Sequence, residues 1–137
     1  MHVVIVGCGR VGSTLGRELI AAGHTVAVID RKAEAFSRLG ESFTGQKISG
    51  IGFDRDILIE AGIEKAGALA AVTNGDNSNI LIARVAREEF GIERVVARIY
   101  DPKRAEIYER LGIATVVFVH TKCVQNAFRR VCEAHCE

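Results

Sequence analysis

Glycines 7, 9 and 12, with an acid eighteen residues beyond the last of them, are the residues whose types and spacing point most directly at a ligand. Gly7-Cys8-Gly9-Arg10-Val11-Gly12 reads G-x-G-x-x-G. Gly7 permits a tight turn, Gly9 removes the side chain that would keep a pyrophosphate from the backbone, and Gly12 lets the next helix lie close to the preceding strand. The free N–H groups and positive end of that helix face the same spot, which attracts phosphate. Asp30 closes the next apolar run, where a carboxylate can accept hydrogen bonds from ribose hydroxyls. Arg31 can either stack on an adenine or pair with a 2′-phosphate. Asp30 would repel that phosphate, which favours NAD(H) or an adenosine nucleotide over NADP. Thr73 ends a further apolar run beside Asn74, Gly75, Asp76 and Asn79, of which Asp76 and Asn79 either cap the next helix or touch a ligand. Arg98 lies inside another such run, where an unpaired charge is costly, so it must reach a carboxylate or a bound phosphate.

The apolar pattern dictates how these residues can meet. Strands are expected at Val3–Val6, Thr25–Ile29, Gln46–Ser49, Ala66–Thr73, Arg94–Ile99 and Thr115–Val119. Between them the spacing predicts helices over Arg10–Ala22, Ala33–Leu39, Arg55–Ala61 behind a capping Asp54, Ser78–Phe90 and Pro102–Leu111, with a last one over Lys122–Cys136. Glycines 23, 40, 62, 91 and 112 stop the helices that precede them. The Ala-Leu-Ala-Ala-Val centre of the fourth run suits a strand covered on both faces. Right-handed crossovers then build an α/β, Rossmann-like doubly wound parallel sheet of six strands, order 3-2-1-4-5-6, with a C-terminal helix. In that architecture Thr73 lies at the mouth where ligands bind.

Composition narrows the classes of function. The 137 residues make one domain, and 48% hydrophobic with 26% charged residues is ordinary for a folded globular protein. Eighteen Lys and Arg against seventeen Asp and Glu leave +1, which gives no electrostatic case for nucleic acid or for direct membrane binding. No apolar run approaches the roughly 18 residues of a spanning helix. Met1 leads straight into a strand without room for a signal peptide, so a cytoplasmic protein is expected. Cys8, Cys123, Cys132 and Cys136 do not form the pattern of a disulfide framework. With His120 and His135 they match no usual zinc spacing, and no metal is expected.

Over nearly its whole length the chain resembles the N-terminal nucleotide-binding domain of Trk/Ktr-type potassium-uptake regulators, the RCK or KTN domain. The resemblance rests on Val4–Gly12, Val28-Ile29-Asp30, Gly50-Ile51-Gly52-Phe53-Asp54, Glu60–Ile63, Val72–Asn79, Val96–Ile99 and Leu111-Gly112-Ile113. It implies a regulatory subunit without catalysis, which binds NAD(H) or adenine nucleotides (ATP, ADP, AMP) and gates a membrane potassium-transport subunit from the cytoplasmic face. It implies self-association, as a homodimer or higher ring. It also implies that the glycine turn holds the diphosphate, that Asp30 holds the ribose, and that Arg10 lies near terminal phosphates. It favours a phosphate role for Arg98. Where the family commonly has Gly-Asp after strand three, this chain has Gly50-Ile51, so Ile51 offers an adenine only apolar contact and backbone groups.

The resemblance divides the chain into a nucleotide-binding domain, residues 1–119, and a C-terminal crossover helix, residues 120–137, with the second ligand-sensing subdomain of fuller relatives absent. Val124, Ala127, Phe128, Val131 and His135 make an apolar-leaning face of that helix, which either crosses to a partner subunit or packs on its own sheet. The alternative function is an NAD-dependent oxidoreductase or its cofactor-binding fragment. Against it, no separate substrate domain follows, and His2, His24, His120 and His135 form no catalytic pattern.

Overall fold

A computed structural model describes residues 1–116 and 127–132. Six parallel strands, β1 (His2–Val6), β2 (Thr25–Asp30), β3 (Gln46–Ser49), β4 (Ala66–Ala71), β5 (Arg94–Arg98) and β6 (Ala114–Val116), form one sheet in the order β3-β2-β1-β4-β5-β6. The topology and the parallel direction are those expected from the sequence. The chain reverses direction across the sheet between β1 and β4, so a crevice opens beyond their C-terminal ends.

Alternation along the strands divides the core into two layers. Val3 and Ile5 of β1 face α1 (Arg10–Ala21), whose Val11, Leu15 and Leu19 recur at helical spacing, together with Phe36, Leu39 and Phe43. Val4 and Val6 face the opposite layer, built on α2 (Arg55–Glu60), α3 (Asp76–Phe90) and α4 (Pro102–Arg110). Four core positions of β4, Ala68 to Ala71, are completely buried, as a strand covered on both faces requires.

Three elements depart from the sequence reading. Residues Ala33–Leu39 form a 3-10 helix, not an α-helix, and so turn their side chains three to the turn. Helix α3 starts at Asp76, two residues early, and β4 stops at Ala71, which leaves Val72 and Thr73 as the lip of the crevice. Residues 127–132 are helical, and Ala127 and Val131 are fully buried against the α1 side of this chain's own sheet. Arg130 also meets Glu109 of α4 at 3.4 Å, and Cys132 Sγ lies 3.8 Å from His24 Nε2. Residues 117–119 of the strand expected over Thr115–Val119, and Val124 and His135 of the expected last helix, lie outside the described residues, as do Cys123, Cys136 and His120. Among the described residues no group of His, Cys, Asp and Glu is arranged to hold a metal ion, and no helix is long and apolar enough to cross a membrane.

Candidate functional site

The crevice is a cleft of about 480 Å³ at the C-terminal ends of β1, β2 and β4. Its wall on one side is the glycine turn. Gly7 adopts φ +109°, and a Cβ there would stand 2.8 Å from the Thr73 nitrogen, so β1 can turn this close to β4 only without a side chain. Gly12 holds the helix down: its Cβ would come within 1.7 Å of the Gly7 carbonyl oxygen. Gly9 differs from both. It has ordinary backbone angles, φ −86° and ψ −158°, and a Cβ there would meet nothing within 4 Å.

How the helices begin separates cleft from surface. Asp54 caps α2 by accepting from the Asp56 and Ile57 N–H groups, and Asp101 caps α4 through the Lys103 N–H. The two helices that start at the cleft, α1 at Gly9 and α3 at Gly75, have no side-chain cap among the described residues. Their first N–H groups therefore need another acceptor, which water or an anion can supply.

Asp30 lines the cleft, but as a strut. Its Oδ2 accepts from the Cys8 N–H at 2.7 Å and its Oδ1 from the Lys32 N–H at 2.9 Å, tying the end of β2 to the glycine turn. Cys8 itself is buried, and its thiol donates to the Ala35 carbonyl at 3.3 Å. Burial, and then the Asp30 charge, push that thiol above its ordinary value of 9.0, so it is protonated and unreactive at neutral pH.

The far wall is the loop after β3. A Cβ on Gly52 would strike Val6 Cγ1 at 2.2 Å, and one on Gly50 would strike Ile57 Cδ1 at 2.7 Å, so this loop lies directly on the sheet end and on α2. That placement turns Ile51 and Phe53, 40% and 45% exposed, toward the rim as apolar surface. The floor and lip come from Val72, Thr73, Asn74 and Gly75 with Ser78 and Ile82 of α3.

Twelve of the seventeen residues selected from the sequence therefore line one cleft: Gly7, Cys8, Gly9, Asp30, Arg31, Gly50, Ile51, Gly52, Phe53, Thr73, Asn74 and Gly75. The other five do not. Val11 and Gly12 are buried under the turn, and Arg10 is exposed on the first turn of α1. Asn79 and Arg98 are buried behind the lip. Asn79 Oδ1 accepts from the Thr73 N–H (2.8 Å) and hydroxyl (2.7 Å), while its Nδ2 donates to the Thr73 and Arg98 carbonyls (3.0 and 2.8 Å). All four of its hydrogen-bonding positions are spent on joining the ends of β4 and β5. It is not the cap of α3. Asp76 is not a cap either: its carboxylate accepts from the Tyr100 N–H at 3.0 Å and the Asp101 N–H at 3.3 Å, across the crevice rim. Arg98 Nη2 donates to the Thr73 carbonyl at 2.6 Å and to Asn74 Oδ1 at 3.0 Å, and its guanidinium lies 5.1 Å from the Tyr100 ring centre. Arg98 thus stiffens the lip from behind.

Sequence reasoning missed two cations that line the cleft, Lys32 and Arg38. Lys32 was legible as the continuation of Asp30-Arg31. Arg38 was not, because the 3-10 winding of Ala33–Leu39 brings it back over the glycine turn, where its Nη1 donates to the Cys8 carbonyl at 3.4 Å.

Comparison with known proteins bears on the family and the fold. The family model of the TrkA-N domain matches residues 3–119. A Trk system potassium uptake protein, TrkA, of Streptomyces coelicolor is 67% identical over 119 residues, covering 87% of this chain and 53% of the relative. The chain thus spans about half the length of that relative. Among solved structures, the Kef CTD of Shewanella denitrificans in its AMP-bound form superposes with a TM-score of 0.77 at 24% identity, over 92% of this chain and 77% of that one. The GsuK channel bound to NAD superposes with a TM-score of 0.69 at 20% identity, over 84% of this chain and 21% of that one. At these identities the two structures establish the shared fold.

Proposed function

Because the chain belongs to the TrkA-N domain family, we propose that its cleft binds an adenine nucleotide, NAD(H) or AMP, ADP or ATP, and that it serves as the regulatory module of a Trk-type potassium-uptake system. The observation that carries the reading is the pair of helix N-termini without side-chain caps, at Gly9 and Gly75, opening on one cleft at the switch point between β1 and β4. Diphosphate oxygens satisfy those N–H groups and are drawn by both helix dipoles. Gly9, which nothing in the fold obliges to be glycine, leaves room for the diphosphate to approach the backbone. The ribose lies toward Asp30 and the base toward Ile51 and Phe53, whose exposed apolar surfaces cover one face of an adenine. Arg10, exposed beside the turn, reaches terminal phosphates. The AMP and NAD bound by the two structural neighbours support the same ligand class.

The module performs no chemistry of its own. Cys8 is a protonated, buried thiol, and the remaining polar groups that support the lip are spent on one another. Its output is mechanical: nucleotide binding favours one arrangement of subunits over another and so biases a cytoplasmic assembly under the potassium-transport subunit. Calorimetric titration with AMP, ADP, ATP and NADH tests the reading. Saturable heat with at least one of them is expected, and no binding by any would refute it. Incubation with NAD and a panel of hydroxy acids and aldehydes separates the oxidoreductase alternative, since a substrate-dependent gain in NADH absorbance would favour the enzyme. Light scattering behind a sizing column tests the assembly, which requires at least a dimer.

A further inference from the structure

We propose that the lip of the cleft is a self-modification site, where Asn74 loses its side-chain amide to attack by the Gly75 nitrogen, whatever the cleft binds. Asn74-Gly75 is the one Asn-Gly pair of the sequence, and both residues are exposed on the bend between β4 and α3. Glycine has no Cβ to hinder its own nitrogen from closing a ring on the preceding side chain. The neighbours prepare both reacting groups. Arg98 Nη2 donates to Asn74 Oδ1 at 3.0 Å, so a cation draws on the carbonyl to be attacked and stands where negative charge collects as the new bond forms. Arg98 is 4% exposed and the same Nη2 is anchored on the Thr73 carbonyl at 2.6 Å, so this donor is fixed in place. On the other side, the Gly75 N–H donates to Thr73 Oγ1 at 3.3 Å. That hydroxyl has one proton, and its 2.7 Å bond to Asn79 Oδ1 is much shorter than its 3.5 Å approach to the Gly75 carbonyl, so a lone pair faces the Gly75 N–H.

The other asparagines of this segment lack the arrangement. Asn77 and Asn79 are followed by Ser78 and Ile80 inside α3, whose helical dihedrals hold the following nitrogen off the side chain. Asn79 also has every hydrogen-bonding position occupied. The chemistry balances with water and its hydroxide as the only co-reactants. Hydroxide takes the Gly75 proton and the nitrogen bonds to Asn74 Cγ. The bond from Cγ to the side-chain nitrogen then breaks, and that nitrogen takes a proton from water and leaves as ammonia. The product is a succinimide, which water opens in one of two ways. Opening at Cγ gives aspartate; opening at the backbone carbonyl gives isoaspartate, whose main chain runs through the former side chain. Either product places a carboxylate on the cleft lip beside Arg98, and isoaspartate also inserts a carbon into the main chain immediately before α3. The new charge opposes an anion at the start of that helix, and the longer chain displaces the Gly75 N–H from the glycine turn.

Timed incubation of the folded chain in mildly alkaline buffer, followed by trypsin digestion and mass spectrometry of the peptide Ala66–Arg84, tests the proposal. The mass gain of an amide-to-acid exchange is expected, localised by fragmentation to Asn74. It should accumulate at least as fast as in the same chain unfolded by guanidinium chloride, because the fold supplies the Arg98 donor that the unfolded chain lacks. Gly75→Ala should hold the peptide at its starting mass. That variant keeps the fold, since Gly75 has φ −109° and the added Cβ would meet nothing closer than Ser78 Oγ at 3.5 Å. Exchange that is slower in the folded than in the unfolded chain would overturn the proposal, since the lip would then protect Asn74. Exchange at Asn77 or Asn79 in place of Asn74, or an undiminished gain in Gly75→Ala, would overturn it as well.

Discussion

Two glycines three residues apart in one motif should separate fold from function when each is given a side chain. At Gly12 an added Cβ would stand 1.7 Å from the Gly7 carbonyl oxygen and 2.9 Å from its carbonyl carbon. Backbone cannot swing aside as a side-chain tip can, so α1 must lift from β1 by more than an ångström, opening the layer where Val11 and Leu15 pack. Overpacking of a close-packed interior typically costs about 1–3 kcal/mol, and a clash with backbone belongs at the upper end. For a domain of this size, with a total stability of about 5–15 kcal/mol, that corresponds to a melting temperature lower by roughly 10 °C. At Gly9 nothing lies within 4 Å of the added atom and φ is −86°, so Gly9→Val forfeits only part of an N-cap preference, about 1 kcal/mol or less. The same valine fills the space where the diphosphate meets the backbone. Thermal melts and nucleotide titrations on both variants are therefore expected to dissociate: Gly12→Ala melts early, whereas Gly9→Val melts close to the parent and loses nucleotide affinity. A Gly9→Val protein that binds NADH and ADP as tightly as the parent would refute the placement of the diphosphate. One that melts as early as Gly12→Ala would refute the claim that Gly9 is free of the fold.

Asn79→Ala removes four hydrogen bonds at once and strands the part-buried Thr73 N–H and the buried Arg98 carbonyl, at a cost of about 2–4 kcal/mol, which urea unfolding should register as a lower midpoint with an unchanged slope. Because the Cys8 thiol is raised in the folded state, stability should be flat below the ordinary thiol value of 9.0 and fall as pH rises above it, where the unfolded chain ionises first; Cys8→Ala should flatten that fall. Val131→Asp buries a charge against the chain's own sheet and should lower the melting temperature by the same amount at low and high protein concentration; a loss that shrinks as concentration rises would instead place this helix at a subunit interface.

What the sequence revealed, and what it hid, divides by the range of the interactions. The strands, their order and the glycine turn were legible because each depends on neighbours: apolar runs punctuated by glycine, then crossovers of one hand. Asp54 likewise was legible as a cap, since its partners lie two and three residues on, and Asp101, which was not singled out, caps α4 by the same local geometry. Asp76 has the same side chain and also begins a helix, yet its partners are the backbone N–H groups of Tyr100 and Asp101. Asn79 spans from Thr73 to Arg98 in the same way. Spacing along the chain cannot distinguish these acids and amides, because the difference arises only when β4 and β5 are paired side by side. The same holds for Asp30. Its place at a strand end was legible, but that its carboxylate also braces the glycine turn through the Cys8 N–H was not, because that contact forms only where β1 and β2 lie side by side, an approach that Gly7 helps set by donating its N–H to the Ile29 carbonyl at 2.8 Å. The glycine turn before a helix is thus legible as a local motif, while the way its supporting acids and amides are bonded follows from long-range contacts between strand ends.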